Sequence, residues 1–268
     1  MGQRPTALIT GASSGLGAEF ALQLAGMGYH LVLTARRVDR LQQLADSIRA
    51  KYAVQVITQP ADLSIMPDIE HLVSIINGLT NLDLLVNAAG FGTVGRFYRV
   101  DSAKELAMLN VHMVAPVMLC RAALPGMLSR NIGAIINVSS LAGLIPIRNV
   151  LYHSTKAFLV SFSTALRDEL RDSQVHIQVL CPGYVYTEFH DTLEYSRSSR
   201  TRVPRFLWMP PAPVVSGSLK SLHHRQLICI PGNINHFAGL LARNSISASL
   251  IKLVAQFILR RRKTFINT

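Results

Sequence analysis

Tyr152 and Lys156 carry the strongest chemical signal in this 268-residue chain, within the run Tyr152-His153-Ser154-Thr155-Lys156. Residues four apart on a helix share a face, so a phenol and an ammonium can meet at one site. A free tyrosine ionises near pH 10, too high for ready proton exchange at neutral pH. A neighbouring ammonium favours the phenolate, and lowering that pKa by about three units takes ~4 kcal/mol of differential interaction. Such a phenol can give a proton to a carbonyl oxygen or take one from an alcohol. Ser139 stands thirteen residues before Tyr152, at the end of the apolar run Ile135-Ile136-Asn137-Val138. A hydroxyl placed there can hydrogen-bond the same oxygen.

A second constellation points to an anion. Near the N-terminus an apolar run leads into Thr10-Gly11-Ala12-Ser13-Ser14-Gly15-Leu16-Gly17, followed by a helical pattern. Glycines let a chain turn sharply and approach a ligand closely. A strand that delivers such a turn to a helix N-terminus builds an anion site from free N–H groups and the helix dipole. The spacing is G-x-x-x-G-x-G, which differs from the commonest dinucleotide fingerprint, G-x-G-x-x-G. The next strand ends Leu33-Thr34-Ala35-Arg36-Arg37. NAD-binding chains usually hold the ribose hydroxyls there with an acid. Ala35 cannot do so, and Asp39 lies further into the helix. Arg36 and Arg37 can instead pair with a 2′-phosphate, with Arg36 as the main contact, so the expected cofactor is NADP(H). Two solvated arginines opening a surface helix are the competing reading. Asp62, with Leu63 beside it, follows the third strand. Its carboxylate can accept from an adenine amino group, or form a local cap with Ser64.

These residues need a scaffold, and the chain supplies a regular one. Mostly continuous apolar runs over 6–10, 30–34, 54–59, 82–87, 134–139, 176–181 and 226–230 read as strands buried on both faces. Amphipathic stretches over 15–27, 37–52, 66–79, 103–130, 152–172 and 213–223 read as helices between them. The alternation predicts an α/β fold: a doubly wound, Rossmann-type, mostly parallel seven-stranded sheet flanked by helices. One domain over 1–232 is expected, with a helical extension over 233–268.

In this setting Tyr152-x-x-x-Lys156, Ser139, Asn110, Asn87-Ala88-Ala89-Gly90, Pro182-Gly183 with Thr187, and the glycine loop stand in an order and at intervals that resemble the short-chain dehydrogenase/reductase family. The likeness covers about residues 5–232. It implies that Tyr152 is the proton donor and that Ser139 is the serine of the set. It gives Lys156 a second task, on the nicotinamide ribose. It places Asn110 in a kinked helical turn that holds a relay water. It sets the loop residues Gly11, Ser13, Ser14, Gly15, Leu16 and Gly17, together with Asn87, Ala88 and Gly90, along the cofactor cleft. Pro182, Gly183, Val185 and Thr187 would border the nicotinamide. It also implies a homodimer or homotetramer, because 103–130 and 152–172 resemble the family's dimer surface.

The expected activity is NADPH-dependent reduction of a hydrophobic ketone to a secondary alcohol. The alternative is a catalytically silent NADP-binding sensor or scaffold, which has no need of all four of Asn110, Ser139, Tyr152 and Lys156. Ligands of this fold sit beyond the carboxyl ends of the strands, so 188–212 is expected to cover the substrate. Phe189, Tyr195, Phe206 and Trp208 in that segment favour an apolar compound. Arg197, Arg200, Arg202 and Arg205 are either solvated or meet an acidic group such as a coenzyme A phosphate.

Composition excludes several classes. Cys120, Cys181 and Cys229 form no C-x-x-C pair, so neither a disulfide framework nor a cysteine zinc site is expected. His153, His223 and His224 have no companion ligands, and no metal is expected. No leader pattern precedes the first strand, and no run of about 20 apolar residues is unbroken, so a cytoplasmic protein is expected. The net charge of +12 is local: residues 1–194 hold 15 basic and 15 acidic side chains, and 195–268 hold 12 basic and none acidic. Ile246, Leu250, Leu253, Val254, Phe257 and Ile258 form an apolar stripe closed by Arg260-Arg261-Arg262-Lys263. Its partner is its own domain or a second subunit, or a membrane surface met peripherally through 245–263. Nucleic acid is the least favoured.

Overall fold

A computed structural model describes residues 4–145, 147, 149–190 and 203–242. Tyr195, Arg197, Arg200, Arg202 and the apolar stripe with its basic end lie outside the described residues.

The strands are β1 (Thr6–Thr10), β2 (His30–Thr34), β3 (Val56–Thr58), β4 (Leu82–Asn87), β5 (Gly133–Val138), β6 (Val175–Leu180), β7 (Tyr184–Val185), β8 (Trp208–Met209) and β9 (Ile228–Cys229). Seven form one sheet in the order β3-β2-β1-β4-β5-β6-β9, and every pairing is parallel. β7 and β8 pair separately. The helices are α1 (Gly15–Gly26), α2 (Val38–Lys51), α3 (Met66–Gly78), α4 (Ser102–Leu109), α5 (Ala115–Arg130), α6 (Val150–Glu169), α7 (Pro211–His223) and α8 (Asn233–Ala242).

Both sheet faces are covered, which is why the central strands read as nearly continuous apolar runs. Phe20 and Leu24 of α1, Leu41 and Ile48 of α2 and Val214 and Val215 of α7 pack on one face with Ile9, Leu33 and Val86. Ile69 and Leu72 of α3, Leu119 and Ala123 of α5 and Phe162 and Leu166 of α6 pack on the other with Leu8, Leu85 and Ile135.

The predicted helix 103–130 is broken by a wide π turn, Asn110–Val114, between α4 and α5. By length and hydropathy, Ser102–Arg130 is the one helical stretch among the described residues that could cross a membrane. Its inward face is packed through Ala115, Leu119, Ala123 and Met127, all buried in the core. The extension begins as part of the domain: Asn235 of α8 is buried, and its amide donates to Pro231 O at 3.1 Å. The three cysteines are free and buried. Burial pushes the Cys120 and Cys181 thiols up to about 12.

The sheet order reverses direction between β1 and β4. In open parallel sheets this switch point, at the carboxyl ends of the strands, is where ligands bind. The glycine loop leaves β1 there, Ala88–Gly90 leaves β4, and Ser139 and Ser140 leave β5.

Candidate active site

The glycine loop is shaped for a close backbone approach. Gly11 has φ +67°, and a Cβ on it would lie 2.8 Å from Ala89 Cα. A Cβ on Gly17 would lie 2.3 Å from Gly11 O, so the loop closes only if that position has no side chain. The Thr10 hydroxyl accepts from Ala88 N and Ala89 N, both at 3.0 Å, and locks the ends of β1 and β4 together. Ser14 stands at the N-cap of α1 but gives it no side-chain cap, and the first turn holds no acid. Its first N–H groups are therefore left for an anion. An open cavity of about 420 Å³ lies beside it, lined by Ser13, Ser14, Gly15, Tyr186, Thr187, Glu188 and Pro211. This cradle fits a dinucleotide phosphate: glycines where a Cβ would collide, and an uncapped helix end.

Two arginines follow β2, and they behave differently. Arg37 turns onto the glycine loop. Its Nη2 donates to Ser14 Oγ at 2.6 Å and Ser13 Oγ at 3.1 Å, and its Nε reaches Ser13 Oγ at 3.2 Å. Arg36, the expected main contact, is 63% exposed and 3.9 Å from Asp62 Oδ2. Asp62 takes its local role: Oδ1 accepts from Ser64 N at 3.0 Å and Ser64 Oγ at 2.8 Å. It does not cap α3, whose N-cap position is Ile65.

Three further residues expected along the cleft direct their side chains into the body of the domain. Leu63 turns its side chain into the core beside Ile69 and Leu72. Val185 is likewise a core residue. Asn87 faces along the sheet: its Nδ2 donates to Asn137 Oδ1 on β5 at 2.8 Å, and Asn137 Nδ2 donates to Ser163 Oγ on α6 at 3.0 Å. Alternation along a strand decides the direction of Asn87, and the motif string does not state which phase applies. Gly15 and Thr187 meet across the cleft, with Thr187 Cγ2 3.2 Å from a Cβ built on Gly15. The Pro182 carbonyl accepts from Leu141 N at 2.9 Å, and Gly183 packs under Asn235.

Tyr152 sits in the first turn of α6. Asn149 caps that turn, its Oδ1 accepting from Tyr152 N at 3.2 Å while its Nδ2 donates to Thr93 O at 2.5 Å. Lys156 lies one turn on, with Nζ 5.8 Å from the Tyr152 ring centroid. The ammonium is buried and donates to Val138 O at 2.9 Å. Desolvation lowers its pKa from 10.5 to about 8. Gly90 leaves room for it: a Cβ there would stand 3.6 Å from Nζ and 3.1 Å from His112 Nε2.

The two serines are distinguished by their partners. Ser139 is buried, and its hydroxyl donates to Lys156 O at 2.7 Å. That proton is already used, so Ser139 is not placed to donate to a substrate oxygen, contrary to its expected role. Ser140 is only half-buried, and its Oγ accepts from Ala142 N at 3.1 Å. An accepting hydroxyl keeps its own proton for another group.

The wide turn predicted around Asn110 is present, and Ala115 N bonds to Asn110 O across it. The Asn110 amide donates to Ser64 O at 2.8 Å, tying the turn to the segment after β3. His112, in the same turn, was not singled out from sequence. It is buried, accepts from Phe91 N at 3.2 Å through Nε2, and contacts Thr155 Oγ1 at 2.9 Å through Nδ1. Burial, then Lys156, holds its pKa well below the usual value, so the ring is neutral. No signal short of the turn geometry marks it.

Of the expected substrate contacts, Phe189 reaches the site, with its ring centroid 5.7 Å from that of Tyr152. Phe206 is 68% exposed on a short turn. Trp208 is corrected: it is buried in β8 and stacks on Tyr186 at 5.0 Å, which makes it a packing residue. Among the described residues no cluster of metal ligands occurs.

Lys156 gives a stability test. The native state carries a buried ammonium with a pKa of about 8, against 10.5 for the free side chain. A base whose folded pKa is depressed costs the native state most below that pKa, here ~3 kcal/mol at pH 7, and the cost fades as pH rises from 8 to 10.5. Lys156→Met should therefore raise the urea stability of the cofactor-free protein at pH 7. A gain of about 2 kcal/mol is expected after ~1 kcal/mol for orphaning the Val138 carbonyl. Wild-type stability should climb between pH 8 and 10.5, and the variant's should not. A lower midpoint for Lys156→Met at pH 7 would contradict this account.

Comparison with known proteins agrees with the geometry. The chain is 35% identical over 187 residues to a very-long-chain 3-oxoacyl-CoA reductase of Laccaria bicolor, covering 68% of this chain and 55% of that protein. It is 36% identical over 216 residues to 11-beta-hydroxysteroid dehydrogenase 1A of Arabidopsis thaliana, covering 79% and 62%. It thus spans less than two thirds of the length of either relative. Among solved structures, a short-chain dehydrogenase from Sphingobium yanoikuyae in complex with NADPH superposes with a TM-score of 0.80. That pair is 30% identical, with 85% of this chain and 88% of that one covered. The family model for short chain dehydrogenases accounts for residues 5–197, a span that includes the glycine loop and the tyrosine helix, and the chain belongs to that family.

Proposed function

We propose that this protein is an NADP(H)-dependent oxidoreductase that reduces an apolar ketone to a secondary alcohol. One observation carries the reading. Tyr152 stands in an apolar cluster with Met108, Ala142, Phe91 and Phe189, yet is backed by the buried Lys156 ammonium. A phenol so placed can hand a proton to a carbonyl oxygen whose apolar substituents lie against those side chains. Arg37 on the glycine loop, and Ala35 where an acid would stand, support the phosphorylated cofactor, as does the NADPH complex of the Sphingobium protein.

The cofactor supplies the hydride. The chain does the rest. The glycine loop and α1 would hold its phosphates, and Arg37 with Arg36 its 2′-phosphate. Lys156 holds its charge beside the phenol and would also reach the ribose. Tyr152 gives the proton, and Ser140 donates a hydrogen bond to the same oxygen. Phe189 covers the tyrosine and keeps water from it. A peripheral membrane contact through 245–263 and pairing of two copies through α5 and α6 remain proposals that rest on the sequence alone.

The test is a panel of apolar ketones with NADPH and with NADH, followed by absorbance. Ketone-dependent consumption of NADPH, at least about tenfold faster than of NADH at low cofactor, is expected. Absence of turnover across the panel would overturn the enzyme reading. Equal use of NADH would overturn the cofactor reading.

A further inference from the structure

Glu188 is the first residue past Thr187, and its carboxylate reaches over the mouth of the cleft to α2. Arg37 Nη1 stands 2.7 Å from Oε2, and Arg40 Nη1 stands 2.5 Å from Oε1. The remaining donors of Arg37 lie on Ser13 and Ser14 of the glycine loop. One guanidinium therefore joins the phosphate cradle to an acid from the substrate side of the cleft. Glu188 also lines the cavity beside Ser13 and Gly15. The hydrogen bond from Arg37 holds its carboxyl below the usual range, so it is charged at neutral pH.

A 2′-phosphate bound at Arg37 and Ser13 would arrive beside this carboxylate. A phosphate monoester carries about −1.5 to −2 at neutral pH, and two like charges on one guanidinium repel. Arg37 must then give up Glu188 to serve the phosphate. Arg40 holds the other carboxylate oxygen and can keep Glu188 when Arg37 leaves. A dinucleotide without the phosphate makes no such demand.

We propose that Glu188 and Arg40 tune cofactor choice, Glu188 as an internal anion that competes with the 2′-phosphate for Arg37 and Arg40 as the holder that takes the carboxylate away. The proposal rests on the NADP(H) reading above and adds two residues to it. Neither contacts the cofactor under this scheme: both act through Arg37.

The experiment is calorimetric titration of the full chain with NADP⁺ and with NAD⁺, which differ only by the 2′-phosphate. Glu188→Gln should tighten NADP⁺ binding about three- to fivefold and change NAD⁺ binding less than about twofold. Arg40→Gln leaves Glu188 wholly on Arg37 and should weaken NADP⁺ binding by a similar factor. The double variant separates competition from a simple field effect. If Arg40 acts only through Glu188, the pair behaves like Glu188→Gln alone, whereas independent charge effects add and return it to the wild-type value. Unchanged or weaker NADP⁺ binding in Glu188→Gln, or a double variant at the wild-type value, would overturn the proposal. A wild type with no preference for NADP⁺ would overturn the cofactor reading and this proposal with it.

Discussion

Tyr152→Phe should lower NADPH-dependent ketone reduction by on the order of 10³-fold while leaving the dissociation constant for NADPH within about twofold. The variant deletes one oxygen and little else. The ring keeps its place in the apolar cluster with Met108, Ala142, Phe91 and Phe189, and the first turn of α6 keeps its Asn149 cap. Lys156 keeps its bond to Val138 O. The proton would then have to come from water, in a site whose walls exclude it. Single-turnover kinetics with a good substrate from the panel, with fluorescence titration of NADPH alongside, reads both quantities. Retention of more than a tenth of the wild-type rate would remove Tyr152 from its role.

Ser140→Ala should lower the same rate by about 10²-fold, and Ser139→Ala should lower it far less. Here the adjacent serines part company. Ser140 accepts from Ala142 N and keeps a proton for a ligand, whereas Ser139 donates its own to Lys156 O. Losing one oxyanion donor costs catalysis; losing a buried bond to a backbone carbonyl costs stability, here about 1–2 kcal/mol. Ser139→Ala should therefore show its effect in the urea midpoint, Ser140→Ala in kcat. The reverse pattern, a rate collapse in Ser139→Ala with Ser140→Ala near wild type, would restore the assignment made from spacing.

That reassignment marks the boundary of what could be read in the chain. All seven strands of the main sheet were legible, because burial on both faces leaves continuous apolar runs. The glycine loop was legible for a steric reason: positions 11 and 17 tolerate no Cβ, so their residue type reports their geometry. The Tyr152–Lys156 pair followed from helical period alone. What escaped depends on which way a side chain turns. Ser139 and Ser140 occupy the two phases of one strand end, and a count of residues to Tyr152 does not choose between them. The direction of the Asn87 amide escaped for the same reason. Arg36 and Arg37 are equal as letters, and only the angle at which α2 leaves the sheet lays Arg37 on Ser13 and Ser14. Trp208 read as a substrate-covering aromatic because a two-residue strand is too short to leave a pattern. Glu188 gave no local sign, since its partners Arg37 and Arg40 lie about 150 residues earlier.

The amide link from Asn87 to Asn137, carried on to Ser163, has a practical consequence. It rivets the strand that leaves the dinucleotide half to the strand and helix that carry the serines and the tyrosine. Spreading those two halves to admit a bulkier ketone would break both buried bonds. Adaptation to a different substrate must come from the flank after β6, where Phe189 stands. Replacing Phe189 by a smaller or larger side chain should thus shift substrate range while the riveted frame and its proton donor stay in register, which makes this chain a chassis with one replaceable wall.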